Sequence, residues 1–143
     1  MLCCTFIGHK DTPANIEPIL ESTLRDLIKN KSIDTFLVGT HGNFDNMAQT
    51  VLKRLKVEYP HINYTIVLAY LTKKNQTTDY KNTLFPDGLE NVPPKFAIDR
   101  RNKWMIKNSN YLICYIRHSF SNSYKFKEYA EQRGKTVLNL YKK

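Results

Sequence analysis

The sequence predicts a single three-layer α/β domain, residues 1–143, in which helices cover both faces of a mostly parallel sheet of about five strands. Short apolar runs alternate along the chain with longer segments in which apolar residues recur every three or four positions. Strands joined by such helices run parallel. The apolar runs are nearly continuous, as in strands that are buried on both faces. The length of 143 residues suits one domain with a substantial core.

The first half of the chain predicts two strand–helix units and a third strand. Asn15 can cap the first helix, and Pro18 is acceptable there because it falls in the first turn. The second helix ends before Pro60. Both helices carry an apolar stripe. The stripe residues are Ile16, Ile19, Leu20, Leu24, Leu27 and Ile28, then Phe44, Met47, Ala48, Val51, Leu52 and Leu55. The predicted strands of this half are residues 2–7, 33–38 and 62–71.

The second half begins with a polar segment, residues 72–94, that shows weak periodicity. A connection of this length is often functional, for example as a lid, and the alternative is a surface loop with a short helix. Residues 96–108 then predict a helix, and a last helix over residues 121–132 ends at Gly134. The remaining strands are residues 111–116 and 136–140.

The balance of charge predicts an anionic partner. The chain has 22 Lys and Arg against 13 Asp and Glu, a net charge of +9, which suits either nucleic acid or a small phosphorylated ligand. Cys3, Cys4 and Cys114 lie in apolar runs and predict buried free thiols in a reducing cytoplasm. The apolar runs are too short to cross a membrane, and no signal peptide is visible, so we expect a cytoplasmic protein without a membrane partner.

Polar and glycine residues follow each predicted strand, and the carboxyl ends of parallel strands meet at one edge of the sheet, where ligands bind. The loop after the second strand has two glycines and leads into a helix, whose start favours an anion. The alternative is a plain tight turn, with Asp45 serving only the helix dipole. The expected ligand-binding residues are Gly8, His9, Lys10, Gly39, Thr40, His41, Gly42, Asn43, Asp45, Arg100, Arg101, His118, Ser119, Ser121, Asn122, Ser123 and Lys125.

The histidines allow two further interpretations, a metal site and an activated serine, and the sequence supports both less than it supports ligand binding. His9, His41 and His118 fall on the same predicted edge but lack the paired spacing of a metal site, so we expect neither a metal nor another cofactor. His118 precedes Ser119, yet no third residue that would orient such a pair is evident. His61 lies at the far end of a strand and is expected at the surface.

Four motifs resemble those of the SLOG superfamily, the Rossmann-like domains shared by the DNA-processing protein DprA and the LOG phosphoribohydrolases. The chain is similar to small members in Phe6-Ile7-Gly8-His9-Lys10 and in the glycine loop Val38-Gly39-Thr40-His41-Gly42-Asn43-Phe44-Asp45. The other two motifs are Arg101-Asn102-Lys103-Trp104-Met105 and His118-Ser119-Phe120. The resemblance spans nearly the whole chain and implies a Rossmann-like nucleotide-binding domain.

The resemblance also raises the question of catalysis. LOG enzymes have a glycine-rich loop followed by a glutamate that serves cleavage of the N-glycosidic bond, and Glu128 matches that glutamate. The leading glycines are replaced by Ser121 and Asn122, with Tyr124 at the third glycine and Lys125 at the threonine. Side chains therefore fill the space where backbone would approach a phosphate.

We therefore expect a protein that senses or sequesters a nucleotide or an ADP-ribose-derived or cyclic nucleotide signalling molecule, with Tyr70 or Tyr80 stacking on a base. One alternative is a LOG-like hydrolase that uses Glu128, and another is a single-stranded DNA-binding protein. Relatives are often dimers, so the resemblance also implies a homo-oligomer.

Overall fold

The computed structural model describes residues 2–70 and 82–142, and within them it forms a six-stranded sheet with the order β4-β3-β2-β1-β5-β6. Every neighbouring pair of strands is parallel. The predicted α/β class is therefore confirmed. The strands are β1 (Leu2–Gly8), β2 (Ile33–Val38), β3 (Asn63–Val67), β4 (Thr83–Leu84), β5 (Tyr111–Tyr115) and β6 (Thr136–Asn139).

Helices cover both faces of this sheet, as predicted. Because side chains alternate along a strand, Cys4 and Phe6 pack in a core with the first two helices, whereas Cys3 and Ile7 pack with the last two. None of the helices in the described ranges has both the length and the apolar character needed to cross a bilayer. The helices are α1 (Glu17–Asn30), α2 (Gly42–Glu58), α3 (Pro94–Lys107) and α4 (Asn122–Gln132), with 3₁₀ turns at Ala14–Ile16 and Leu89–Asn91.

The sheet differs from the prediction at its β3 edge. β3 ends at Val67 rather than at residue 71, and Thr83–Leu84 adds a sixth strand that pairs with Ile66 and Val67. Two residues are too few to show a strand pattern, so β4 was hidden within the predicted loop of residues 72–94. Residues 72–81 of that segment lie outside the described residues. The prediction that the segment forms a lid falls on them and stays a prediction.

Two helix starts also differ. Asn15 lies in a 3₁₀ turn and does not cap α1, whose N-cap residue is Ile16 without a side-chain bond. α3 begins at Pro94 rather than at residue 96, because proline fits the first turn of a helix, where its missing N–H has no partner to lose.

Candidate functional site

A cleft of about 550 Å³ opens at the carboxyl edge of the sheet, at the end of β1, where the strand order reverses. This is the position at which parallel α/β sheets bind ligands. Its walls come from the loops after β1 and β2 and from the first turns of α3 and α4. Most of the predicted site residues line it, namely Gly8, His9, Lys10, His41, Asp45, Arg101, Ser121, Asn122, Ser123 and Lys125.

Arg101 forms the floor of the cleft. Its side chain is 1% exposed, and its guanidinium donates to the carbonyl of Val67 at 3.0 Å and to the hydroxyl of Thr40 at 3.1 Å. Its Nε donates to Oδ1 of Asn102 at 2.8 Å. Burial lowers the pKa of Arg101, against the opposing effect of Asp45. These contacts hold a cation beneath the cleft, within the sheet edge.

His41 is held in one tautomer by its neighbours. Its Nδ1 accepts from Arg101 at 3.4 Å and lies 3.0 Å from the hydroxyl of Thr40, so the proton belongs on Nε2, 3.1 Å from the hydroxyl of Tyr70. Burial lowers the pKa of His41, and the charges of Arg101 and Lys10 add to that effect. A neutral imidazole is therefore favoured at the edge of the cleft. Tyr70 contacts His41 rather than lining the cleft, and Tyr80 lies outside the described residues.

Asp45 is a buried carboxyl that also reaches the cleft. Its Oδ2 accepts from the backbone N–H of His41 at 3.0 Å, so it closes the start of α2. Gly39 leaves room for it, because a Cβ at that position would lie 2.7 Å from Oδ2 and 3.0 Å from Cζ of Arg101. Burial raises the pKa of Asp45 to about 6, although Arg101 and the His41 N–H act in the opposite direction.

This buried carboxyl predicts a pH dependence. Between about pH 4 and pH 6 the folded protein keeps a proton on Asp45 that the unfolded chain releases, so the contribution of Asp45 to the free energy of unfolding falls as pH rises. Relative to wild type, Asp45→Asn should gain about 2 kcal/mol between pH 4 and pH 7. Urea denaturation of both proteins across that range measures the difference.

The comparison with the variant is needed because His9 and His41 have lowered pKa values. A histidine of this kind makes the fold more stable as pH rises towards 6.5, which opposes Asp45 in wild type. Both histidines remain in the variant, and Asp45 is not a cause of the His41 shift. A wild-type to variant difference that stays constant with pH would contradict the assignment.

The glycine loop after β2 packs against the loop after β1. Gly42 has a φ of +90°, and a Cβ there would lie 2.8 Å from Cα of Lys10. The N–H of Asn43 donates to the carbonyl of Lys10 at 2.9 Å. The first turn of α2 therefore binds the loop after β1, and Gly39, Gly42 and Asn43 do not line the cleft. The approach of these glycines to a ligand stays a prediction.

The start of α4 also faces the cleft. Ser121 is its N-cap, and its hydroxyl accepts from the N–H of Tyr124 at 3.2 Å. Asn122, Ser123 and Lys125 line the cleft from the first turn. Helix N-termini favour anions, because their first N–H groups have no partner within the helix.

Four predicted residues occupy other positions. Arg100 is exposed and borders a separate cavity with Trp104, because it lies on the outer side of α3. His118 and Ser119 line a further cavity beyond the loop after β5. Thr40 acts through Arg101 and His41 and does not line the cleft.

The sequence prediction missed the wall that α3 supplies. Phe96 lines the cleft with 52% of its surface exposed, and Lys95 holds its ammonium 5.0 Å from that ring. Asp99 and Asn102 complete the wall. Phe96 lies in the first turn of a helix that starts at the carboxyl edge of the sheet. That position in the sequence could have indicated that Phe96 lines the cleft. The lining thus has Lys10, Lys95, Lys125 and Arg101 against the carboxyls of Asp45 and Asp99.

Comparison with known proteins supports the fold. The chain is similar to the X-ray structure of DNA processing protein A (DprA) from Streptococcus pneumoniae, with a TM-score of 0.69 and 16% sequence identity. The match covers 96% of this chain and 49% of the DprA chain, so this chain spans about half of that length. The predicted Rossmann-like α/β fold is therefore confirmed. No protein-family model and no curated protein matches the sequence.

Proposed function

We propose that this protein binds a nucleotide or an ADP-ribose-derived signalling molecule in the cleft, and so senses or sequesters it without cleaving it. The observation that carries the proposal is a cleft of about 550 Å³ in which four cationic side chains face two carboxyls beside an exposed aromatic ring. A volume of about 300–1,000 Å³ is typical of small-molecule sites. Excess positive charge suits phosphate, and an exposed ring suits a base.

Each part of the ligand has a proposed partner. Lys10, Lys95 and Lys125 would contact phosphate together with the first turn of α4, since charge-assisted bonds to phosphate are strong. Phe96 would stack on the base, because aromatic rings bind bases of any sequence through their faces. Asn102, held at the cleft wall by Arg101, would bond to a ribose hydroxyl.

The hydrolase alternative has less support. Glu128 is exposed on α4 and is not among the residues that line the cleft. A carboxylate must lie near the sugar to stabilise the positive charge of a ribosyl transition state. Incubation with nucleoside monophosphates and ADP-ribose, followed by chromatography, tests this alternative. Release of free base that disappears in Glu128→Gln would overturn the proposal of binding alone.

Binding of single-stranded DNA is the other alternative, favoured by the similarity to a DNA-processing protein and by the net charge of +9. It predicts an affinity for oligonucleotides that falls steeply with salt. Affinity for mononucleotides without affinity for oligonucleotides would exclude it.

Lys125→Ala tests the cleft directly. It should weaken binding of AMP or ADP-ribose by about tenfold to a hundredfold, since a hydrogen bond to a charged group contributes about 1.5–3 kcal/mol. Lys53→Ala is the matched control, because Lys53 is exposed on α2 and does not line the cleft. Titration calorimetry measures both, after native mass spectrometry of fresh protein has searched for a co-purified nucleotide. Equal affinities of the two variants for a bound nucleotide would contradict the proposed site.

A further inference from the structure

A second cavity of about 460 Å³ lies beside the cleft, beyond the loop that follows β5. Its lining is aromatic and cationic and includes Arg117, His118, Phe120, Lys127 and Tyr141. No carboxylate is among the lining residues in the described part of the chain. The cavity is thus suited to an anion that carries a ring. Nothing in the proposed function so far uses it.

The wall between the cleft and this cavity is a stack of rings. His9 lines the cleft, and its ring stacks on that of His118 with centroids 4.9 Å apart and planes at 21°. His118 stacks in turn on Phe120, at 3.8 Å and 10°. Phe120 lines the cavity, while the next residue, Ser121, lines the cleft. The two spaces are therefore neighbours, separated by one short ridge of chain.

Phe120 is an unusual surface residue. Its side chain is apolar and 84% exposed, yet the ring is held parallel to His118 on one side. Burying an apolar ring against a ligand removes surface from water and is favourable. An aromatic ring that is supported on one face and open on the other is the arrangement on which a nucleobase stacks.

Charge and unpaired polar atoms lie on the same side of the ridge. Arg117 pairs with the exposed Asp11 at 2.8 Å, and Lys127 pairs with Glu131 at 3.2 Å. Both cations are partly exposed, and ion pairs at the surface are weak, so a phosphate can compete with these carboxylates for them. Nε of Arg117 and Nδ1 of His118 are buried and have no hydrogen-bond partner among the described residues. Buried polar atoms are normally paired, and a ligand reaches these two only if the neighbouring side chains move.

We propose that this second cavity holds a second base, so that the ligand is a dinucleotide-type molecule whose phosphate bridge crosses the ridge at Ser119–Ser121. The inference rests on the proposed function and narrows its ligand class. One base would stack on Phe96 in the cleft and the other on Phe120. The two cavities of about 550 and 460 Å³, separated by the ridge, suit two nucleoside units.

The test compares AMP with the dinucleotides ApA and NAD by titration calorimetry. At least one dinucleotide should bind more tightly than AMP. Phe120→Ala should weaken its binding about tenfold and leave AMP unchanged, because stacking contributes to the dinucleotide alone. Phe120→Trp should retain the dinucleotide affinity. Val57→Ala is the matched control, since Val57 is 82% exposed on α2 and lines neither space.

The outcomes separate the two proposals. Binding of AMP without a gain for either dinucleotide, or a gain that Phe120→Ala leaves intact, would overturn this inference and keep the proposed function. Failure of AMP and both dinucleotides to bind would overturn both. Titration with oligo(dT) and measurement of self-association by sedimentation complete the test. Dependence on Phe120 that is confined to oligo(dT), or to self-association, would assign the ring to another partner and overturn the inference.

Discussion

Arg101→Ala should lower the free energy of unfolding by about 3–5 kcal/mol, the usual cost of removing one partner from a buried charged cluster. The side chain is 1% exposed and donates to Val67, Thr40 and Asn102. Its loss leaves a cavity and leaves the carbonyl of Val67 buried without this donor. Urea denaturation followed by circular dichroism at pH 7 measures the change.

The neighbouring arginine is the matched control. Arg100 has the same side chain and lies on the same helix, but it is exposed. Arg100→Ala should therefore stay within about 0.5 kcal/mol of wild type. Arg101→Lys should fall between wild type and Arg101→Ala, because one ammonium cannot span the acceptors that the guanidinium reaches. A loss in Arg101→Ala no greater than that in Arg100→Ala would show that the buried cluster does not stabilise the fold.

The loss should also depend on Asp45. Arg101 lowers the pKa of Asp45, so its removal should raise that pKa further and lead the carboxyl to take up a proton. The change in the free energy of unfolding caused by Asp45→Asn should then be more favourable in the Arg101→Ala background than in wild type. The double-mutant cycle isolates this coupling, which the separate variants cannot show. Additive losses would mean that the two groups do not interact.

The strands and the ligand edge could be predicted because they depend on patterns that the chain carries locally. Apolar runs gave β1, β2 and β5 nearly to the residue, and the alternation of strands and helices placed the loops at one edge. Three-dimensional packing decided the rest. The short β4 has no pattern of its own and exists because it pairs with β3. The loop after β5 leads His118 and Ser119 away from the cleft, and no local signal sets that direction.

The sequence could have shown which of the two arginines, Arg100 or Arg101, is buried. Arg101 lies four residues after Ala97 and four before Met105, and both of these are buried, so all three share one side of α3. Arg100 is the preceding residue of the helix, so its side chain points away from that stripe. A charged residue on a buried stripe indicates either an incorrect helix prediction or a cation whose hydrogen bonds are satisfied inside the fold, and the bonds of Arg101 to Thr40 and Val67 support the second interpretation.

Gly8→Ala should lower the free energy of unfolding by about 3 kcal/mol or more, at the upper end for overpacked cores. A Cβ at Gly8 would lie 2.4 Å from Cγ and 2.7 Å from Cβ of Phe44, which is 1% exposed at the start of α2. Rotation of the Phe44 ring does not move the Cβ of Phe44, so it cannot relieve the clash between that atom and the alanine methyl group. The helix α2 itself must therefore shift. Gly8 therefore serves the packing of α2 on β1, and it also lines the cleft at the predicted ligand edge.

A second glycine separates crowding from backbone strain. Gly134 has a φ of +73°, and a Cβ there would meet nothing within 4 Å, so Gly134→Ala should cost only about 1 kcal/mol. Gly8 is not among the positive-φ residues of the described chain, so its cost comes from Phe44. Phe44→Ala removes the ring, and its own loss and that of Gly8→Ala should be less than additive. Denaturation of the two single variants and the double variant measures that coupling, and strict additivity would show that Phe44 is not what excludes a side chain at position 8.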